Sequence, residues 1–328
     1  MGLLIGRGIR HRLAALATVA ALALTGMTGL AAYASVPARA ADGATVIGER
    51  PVSGHPRMLD LQVRSPSIDS VLHVKWVRLI LPPGWSKDAD RTWPTLWLLH
   101  GGLDDNLSWT RNTDIEALSA DRDAIIVMPD TSWCSAYSDW WNHGDGGAPR
   151  WETYVTSELP RILTAGYRAG GERAVAGMSM GGLGALKLAA AHHGMFAAAA
   201  SFSGNVDPLH SYDNERSGPD LPGLGCGADW KRVWGDPDVP AQHDIWVRND
   251  PYDQAASLAG VRLFVSAGTG SDPAESTVYP QSAALVAKLR GLGIPVTWDP
   301  VTGGGHDWAN WNAELTKAFP TLMSAIGA

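Results

Sequence analysis

The chain has 328 residues and carries 26 basic against 33 acidic side chains, a net charge of −7. That balance argues against nucleic acid or anionic lipid headgroups as the main partner. The chain shows no charge blocks, low-complexity tracts or internal repeats, so length and composition fit one large α/β domain.

The N-terminus reads as a leader. Arg7, Arg10, His11 and Arg12 make a basic start, Leu13 to Leu24 an apolar run, and Ala38-Arg39-Ala40 a small-x-small cleavage site. A single membrane anchor is the competing reading, but the apolar run is short for a bilayer and no long uncharged span follows. The expectation is an exported protein cleaved after Ala40, with residues 41–328 as one domain and no lasting membrane insertion.

Strands are expected at Val71 to Leu81, Thr95 to Leu99 and Ala124 to Met128, each closed by turn residues such as Pro82-Pro83-Gly84 or Pro129-Asp130. The latter two runs are apolar on both faces, as in central strands covered by helices on both sides. Helical patterns follow at Asn112 to Ala120 and Trp151 to Leu163. Later strands are expected at Val261 to Ser266 and Pro295 to Trp298, with a helix from about Ser276 to Leu289 between them. This alternation predicts a mostly parallel, doubly wound sheet flanked by helices, with ligands bound outside the carboxyl ends of the strands.

Between strand and helix lies Gly177-Met178-Ser179-Met180-Gly181, preceded by Arg173 to Ala176 and followed by Gly182 to Leu188. A serine on a sharp strand-to-helix turn is held in a strained conformation with its hydroxyl above the sheet. Glycines are needed where strand and helix pass close together. The residues from Asn205 to Ser257 are rich in Gly, Pro and Asp without a clear period, and too long for an ordinary connection. We read 205–257 as an inserted cap or lid.

A serine hydroxyl needs a base, and the base needs a carboxylate to fix its tautomer. Of the ten histidines, His306 in Gly303-Gly304-Gly305-His306-Asp307-Trp308 follows the last expected strand and opens the C-terminal helix. The acid belongs in the loop Gly268 to Glu275, where Glu275 and Asp272 are both candidates. An oxyanion hole would combine the N–H of Met180 with that of Gly102 or Leu103, in the loop that begins at His100. His100 either lines the substrate site or closes its strand. Trp308 is a further candidate for substrate contact. No metal or organic cofactor is needed for this chemistry. Cys134 and Cys226 lack metal spacing and could form one disulfide or remain two buried thiols.

Five segments resemble the secreted mycolyltransferases of the antigen-85 type and the esterases around them, all of the α/β-hydrolase fold. They are Ser132 to Trp141, Trp151 to Pro160 (the string W-E-T-x-x-T-S-E-L-P), the serine turn, Trp246 to Pro251, and His306 to Trp311. The resemblance implies Ser179 as nucleophile, His306 as base, Met180 as one oxyanion donor, and Glu275 as acid with Asp272 in reserve. It implies an ester substrate, small or lipidic, with a sugar or glycerol as acyl acceptor. Three departures narrow this. The match is gapped around the acid, the loop Gly102-Leu103-Asp104-Asp105-Asn106 lacks an arginine those transferases use near their sugar acceptor, and the cysteines are placed differently. Two further readings stand beside acyl transfer to an alcohol: a plain carboxylesterase using water, and a non-catalytic binding protein on the same fold.

Overall fold

The computed structural model describes residues 43–214 and 229–328. The leader expected over residues 1–40 lies outside them, as do Cys226 and residues 215–228 of the expected cap.

Nine strands form one sheet: β1 (Thr45–Pro51), β2 (Met58–Arg64), β3 (Val74–Ile80), β4 (Trp93–Leu99), β5 (Ile125–Pro129), β6 (Ala169–Met178), β7 (Ala198–Phe202), β8 (Arg262–Gly268) and β9 (Val296–Val301). Their spatial order is β1-β2-β3-β5-β4-β6-β7-β8-β9. From β5 to β9 every pairing is parallel, while β1, β2 and β3 add an antiparallel edge. The expected strands all form. Three others, β1, β2 and β7, were not expected. β7 is Ala-Ala-Ala-Ser-Phe, a composition poor in β-formers, and its five residues are all buried. It is a strand because it fills the slot between β6 and β8, where packing overrides propensity. β2 carries a buried Asp60 among its apolar residues, held by two hydrogen bonds from Arg78 at 2.8 and 3.0 Å.

The helices are α1 (Ser108–Asn112), α2 (Ile115–Leu118), α3 (Trp151–Thr153), α4 (Leu159–Tyr167), α5 (Met180–Ala191), α6 (Pro208–Asn214), α7 (Lys231–Trp234), α8 (Pro240–Asn249), α9 (Pro273–Gly291) and α10 (Trp308–Ile326). The single helix expected over Asn112 to Ala120 is instead two short ones. Thr113 between them is extended at φ −136°, ψ 168°, and its hydroxyl donates to the Trp109 carbonyl at 2.5 Å, a side-chain bond that competes with helix continuation. The helix expected from Trp151 does form, but with a π-helical turn at Tyr154–Glu158 between α3 and α4. Two apolar clusters sandwich the sheet. One includes Trp97, Tyr137, Trp151, Tyr154 and α5; the other includes Trp109, Phe202 and the inner face of α10.

The W-E-T-x-x-T-S-E-L-P string is explained by this packing. Trp151 is buried and Glu158 is wholly so, its two oxygens accepting from Ser65 Oγ and, at 2.7 Å, from Ser67 Oγ. Glu152 reaches α5, where Lys187 Nζ lies 2.5 Å away and His192 Nε2 2.8 Å. The string ties the flanking helices to one another and to the β2–β3 loop.

The described part of the 205–257 segment is closed at its base. Tyr252 donates its N–H to the Val206 carbonyl, and the buried Asp250 accepts from the N–H groups of Leu209 and Tyr252 at 2.9 and 2.8 Å. Trp230 and Trp234 pack edge-on against Trp246 at 6.0 and 5.2 Å between ring centres. These aromatics join the apolar cluster on one face of the sheet, and Trp234 Nε1 donates to Ser138 Oγ at 3.0 Å. Among the described residues no helix is long and apolar enough to cross a membrane.

Burial works to raise the Glu152 carboxyl, but Lys187 and His192 outweigh it and lower it from 4.5 to about 2. A depressed carboxyl stabilises the fold above its unfolded value and loses that contribution as pH falls toward the folded one. Glu152→Gln should therefore cost about 3 kcal/mol at pH 7, with the gap from wild type closing as pH is lowered from 4.5 toward 2. Urea unfolding of both proteins across that range measures it; a gap independent of pH would contradict the assignment.

Candidate active site

β6 ends at Met178, and Ser179 stands on the turn into α5 with φ 53° and ψ −119°. A non-glycine residue there is strained by roughly 1–3 kcal/mol and persists only when its surroundings hold it. The Ser179 N–H donates to the Phe202 carbonyl at the end of β7 (3.0 Å), and its own carbonyl accepts from Gly182 and Leu183 at 2.9 and 3.1 Å. Two neighbouring glycines are obligatory. A Cβ on Gly177 would lie 2.1 Å from the Gly181 carbonyl oxygen, and one on Gly181 would lie 2.2 Å from that of Leu99. Strand register puts Leu99 of β4 beside Gly177 and Phe202 of β7 beside Met178. The serine therefore sits at the carboxyl ends of the central strands, where the sequence placed it.

The loops after β8 and β9 bring the acid and the histidine together. The Gly270 N–H donates to the Gly304 carbonyl at 3.0 Å and the Thr269 N–H to that of Val301 at 2.9 Å. A Cβ on Gly268 would come within 2.1 Å of the Gly304 oxygen, so only glycine allows the two loops to close. Across this junction His306 Nδ1 lies 2.9 Å from Glu275 Oε1. The other Glu275 oxygen accepts the Gly268 N–H at 2.7 Å, and the glutamate is fully buried. An ionised carboxylate only accepts, so the His306 proton sits on Nδ1 and Nε2 is the basic nitrogen. Asp272 lies at the N-terminus of α9 and accepts from the N–H groups of Ala274 and Glu275 at 2.8 and 3.4 Å. It caps the helix that carries Glu275. His306 is steadied further by Trp311, edge-on at 4.9 Å, and by Asn310, whose Nδ2 donates to the Gly305 carbonyl at 3.1 Å.

Met180 is the first residue of α5, so its N–H is one of those no intrahelical carbonyl can reach. On the opposite loop a Cβ on Gly101 would lie 3.4 Å from Ser179 Cβ, which sets this turn directly against the serine. The Leu103 N–H is engaged by the Trp133 carbonyl at 3.3 Å. Of the two donors expected, Gly102 is the one in which no such bond is made among the described residues.

Of the two readings of His100, lining the substrate site or closing its strand, its surroundings favour the second. It is 1% exposed; Nδ1 faces the Gly101 carbonyl at 2.7 Å, and Nε2 accepts the Thr131 N–H at 3.1 Å. Its ring is spent inside the protein. Trp308 is half-buried at the start of α10, edge-on to Trp109 and Trp311 at 5.3 and 5.2 Å. Sequence reasoning missed the loop from Thr131 to Tyr137, which braces the serine side of the site. Ser135 Oγ donates to Met180 Sδ at 3.7 Å, and Tyr137 Oη donates to the His100 carbonyl at 2.9 Å. The serine-rich string there was visible, but its contacts come from residues distant in sequence. Cys134 in the same loop is disulfide-bonded.

Among the described residues, Asp207, His210 and Asp250 form one cluster of metal-ligand type, with ligand atoms within 4.8 Å of one another. They are engaged already: His210 Nδ1 meets Asp207 Oδ1 at 2.5 Å, and Asp250 binds backbone N–H groups.

Residues 73–322 match the Esterase family model. The chain is 34% identical over 261 residues to "Diacylglycerol acyltransferase/mycolyltransferase Ag85A" of Mycobacterium ulcerans, covering 72% of this chain and 74% of that one. Among solved structures, MPT51 (FbpC1) of Mycobacterium tuberculosis superimposes with a TM-score of 0.64 at 26% identity, over 79% of this chain and 96% of that one. The fluorophosphonate-binding serine hydrolase FphF of Staphylococcus aureus shares the fold at the same TM-score, 21% identity, and coverage of 81% and 98%.

Gly181→Ala places a methyl group against backbone that cannot yield. The variant should lower the melting temperature by several degrees, as overpacking of 1–3 kcal/mol does, and reduce ester turnover about 100-fold through displacement of Ser179. Thermal unfolding together with kcat/KM on an activated ester checks both; wild-type values in either would show that the turn has slack.

Proposed function

The chain belongs to the Esterase family, together with the antigen-85-type acyltransferases, and we propose that it performs acyl transfer through Ser179, His306 and Glu275. The observation that carries this reading is the His306–Glu275 pair, 2.9 Å apart, with its carboxylate fully buried where the β8 and β9 loops close. A buried carboxylate bonded to Nδ1 leaves Nε2 as the proton acceptor and stabilises the imidazolium that forms.

In this mechanism His306 Nε2 takes the Ser179 hydroxyl proton while Oγ attacks the ester carbonyl. The N–H groups of Met180 and Gly102 receive the developing oxyanion. Collapse of the tetrahedral intermediate expels the alcohol, protonated by His306, and leaves an acyl-serine. An incoming alcohol or water then gives its proton to His306, attacks the acyl group and restores the serine. Hydrolysis and transfer share every one of these groups and differ in what reaches the acyl-serine. The mouth of the site is apolar on one side: Leu103 is 79% exposed, and Trp133 is 48% exposed, the most solvent-facing of the 15 tryptophans. We therefore place lipidic esters ahead of small polar ones as substrates, with a sugar or glycerol as candidate acceptor. Residues 1–40 fit an export leader and 205–257 a cap over the acyl-enzyme.

Ser179→Ala should abolish fluorophosphonate labelling and nearly all turnover; a fully active variant would sink the assignment. Glu275→Gln should reduce kcat by two or more orders of magnitude, roughly the scale of triad losses, and Asp272→Asn far less, because asparagine also caps a helix. The reverse ranking would move the acid to Asp272. Supplying an activated acyl ester with water alone, then with glycerol, trehalose or diacylglycerol, should yield acylated acceptor if transfer prevails. Free acid under all conditions would leave a carboxylesterase.

A further inference from the structure

We propose that His100 is a positioning residue that aims the Gly102 N–H at the oxyanion, an inference that rests on the reading of Gly102 as a donor. The argument begins with the proton on the ring. The Gly101 carbonyl, 2.7 Å from Nδ1, can only accept, so Nδ1 carries a proton; Nε2 faces the Thr131 N–H at 3.1 Å, which can only donate, and Thr131 Oγ1 at 3.0 Å. Burial lowers the His100 pKa, opposed in part by Asp130, which keeps the ring neutral. The single proton is therefore on Nδ1 and is donated to the Gly101 carbonyl at 2.7 Å.

That carbonyl and the Gly102 N–H belong to one planar trans peptide and point in opposite directions. Gripping the oxygen fixes the direction of the hydrogen. Glycine on both sides of the peptide leaves it otherwise free to rotate, since neither residue has a side chain to restrict it. The flanking peptides are gripped from the same loop: Tyr137 Oη donates to the His100 carbonyl at 2.9 Å, and the Leu103 N–H donates to the Trp133 carbonyl at 3.3 Å. Three successive peptides are thus anchored to residues 131–137, and the middle one is held through the His100 ring. Thr131 Oγ1 stands 3.0 Å from Nε2 and 2.9 Å from Ser135 Oγ, and Ser135 Oγ lies 3.7 Å from Met180 Sδ, so one chain of contacts joins the two proposed oxyanion donors.

The test uses the full-length protein and a short p-nitrophenyl ester. His100→Leu fills the space without a donor and should lower kcat about 10- to 100-fold, below or at the loss from deleting a whole donor, with KM within about threefold by the same reasoning. Affinity for an alkyl trifluoromethyl ketone, whose hydrated or serine-bound oxygen mimics the oxyanion, should fall by a similar factor. His100→Asn retains an N–H near Nδ1 and should recover kcat to within about fivefold of wild type. Equal losses in the Leu and Asn variants, or a loss carried by KM alone, would overturn the proposal. If His100→Leu does not fold, His100→Met decides. It too fills the space without a donor, and a drop in kcat at constant KM that His100→Asn does not share supports the role, whereas unchanged kcat refutes it. A wild-type protein that neither reacts with fluorophosphonate nor turns over ester would overturn the serine mechanism itself, a result distinct from any difference among these variants.

Discussion

The backbone of Ser179 is held at φ 53°, ψ −119°, a conformation a serine does not adopt for its own sake, and much of the surrounding sequence is arranged to keep it there. β7 supplies the carbonyl that takes the serine N–H. β4 supplies the carbonyl against which Gly181 must pack bare. The first turn of α5 supplies the N–H groups of Gly182 and Leu183, which donate to the serine carbonyl. Strain of a few kcal/mol is affordable only because the flanking strands are buried on both faces and have no freedom to relax. The alanine-rich β7 follows from close packing on its two faces, since larger side chains there would push α5 and α10 off the sheet.

How far the sequence reveals this depends on whether a residue's role is set by its neighbours in the chain. Ser179 and His306 stood out because glycine-rich turns at strand ends are local patterns, and the parallel strands between them follow from short apolar runs. The acid was ambiguous for a physical reason. Asp272 and Glu275 both sit where a helix begins, and a carboxylate there can cap the helix or leave it; which one turns inward depends on where the β9 loop crosses. His100 stayed open between substrate contact and strand closure because its partners, Thr131 and Tyr137, lie 31 and 37 residues away. β2 was hidden by Asp60, a buried carboxyl that interrupts the apolar run and whose partner Arg78 lies on the next strand.

The most distinctive string in the chain carries no chemistry. Trp151 to Pro160 includes two glutamates bound to Lys187, His192, Ser65 and Ser67 and a π-helical turn, all on the flank of the sheet. Such turns often mark functional sites; here the turn lies between Glu152, which faces α5, and Glu158, which faces the β2–β3 loop. Strings that identify a lineage and residues that perform a reaction are separate selections on one chain. Catalysis needs a handful of groups with exact mutual placement, whereas packing needs long stretches that agree with one another.

The base of the 205–257 segment gives the site a division of labour. The proposed nucleophile and oxyanion donors come from chain before residue 184, and the proposed acid–base pair from chain after residue 267. The segment between leaves from β7 and returns to β8, two strands whose ladder runs from Ala198 opposite Arg262 to Phe202 opposite Ser266. Asp250 and Tyr252 tie its ends together below whatever the rest of it covers. Length and composition can therefore change above that tie without altering the spacing of the strands beneath. If the segment is the cap we propose, a lineage could explore new acyl groups or acceptors by rewriting one stretch of chain while the strand ends beneath keep their spacing.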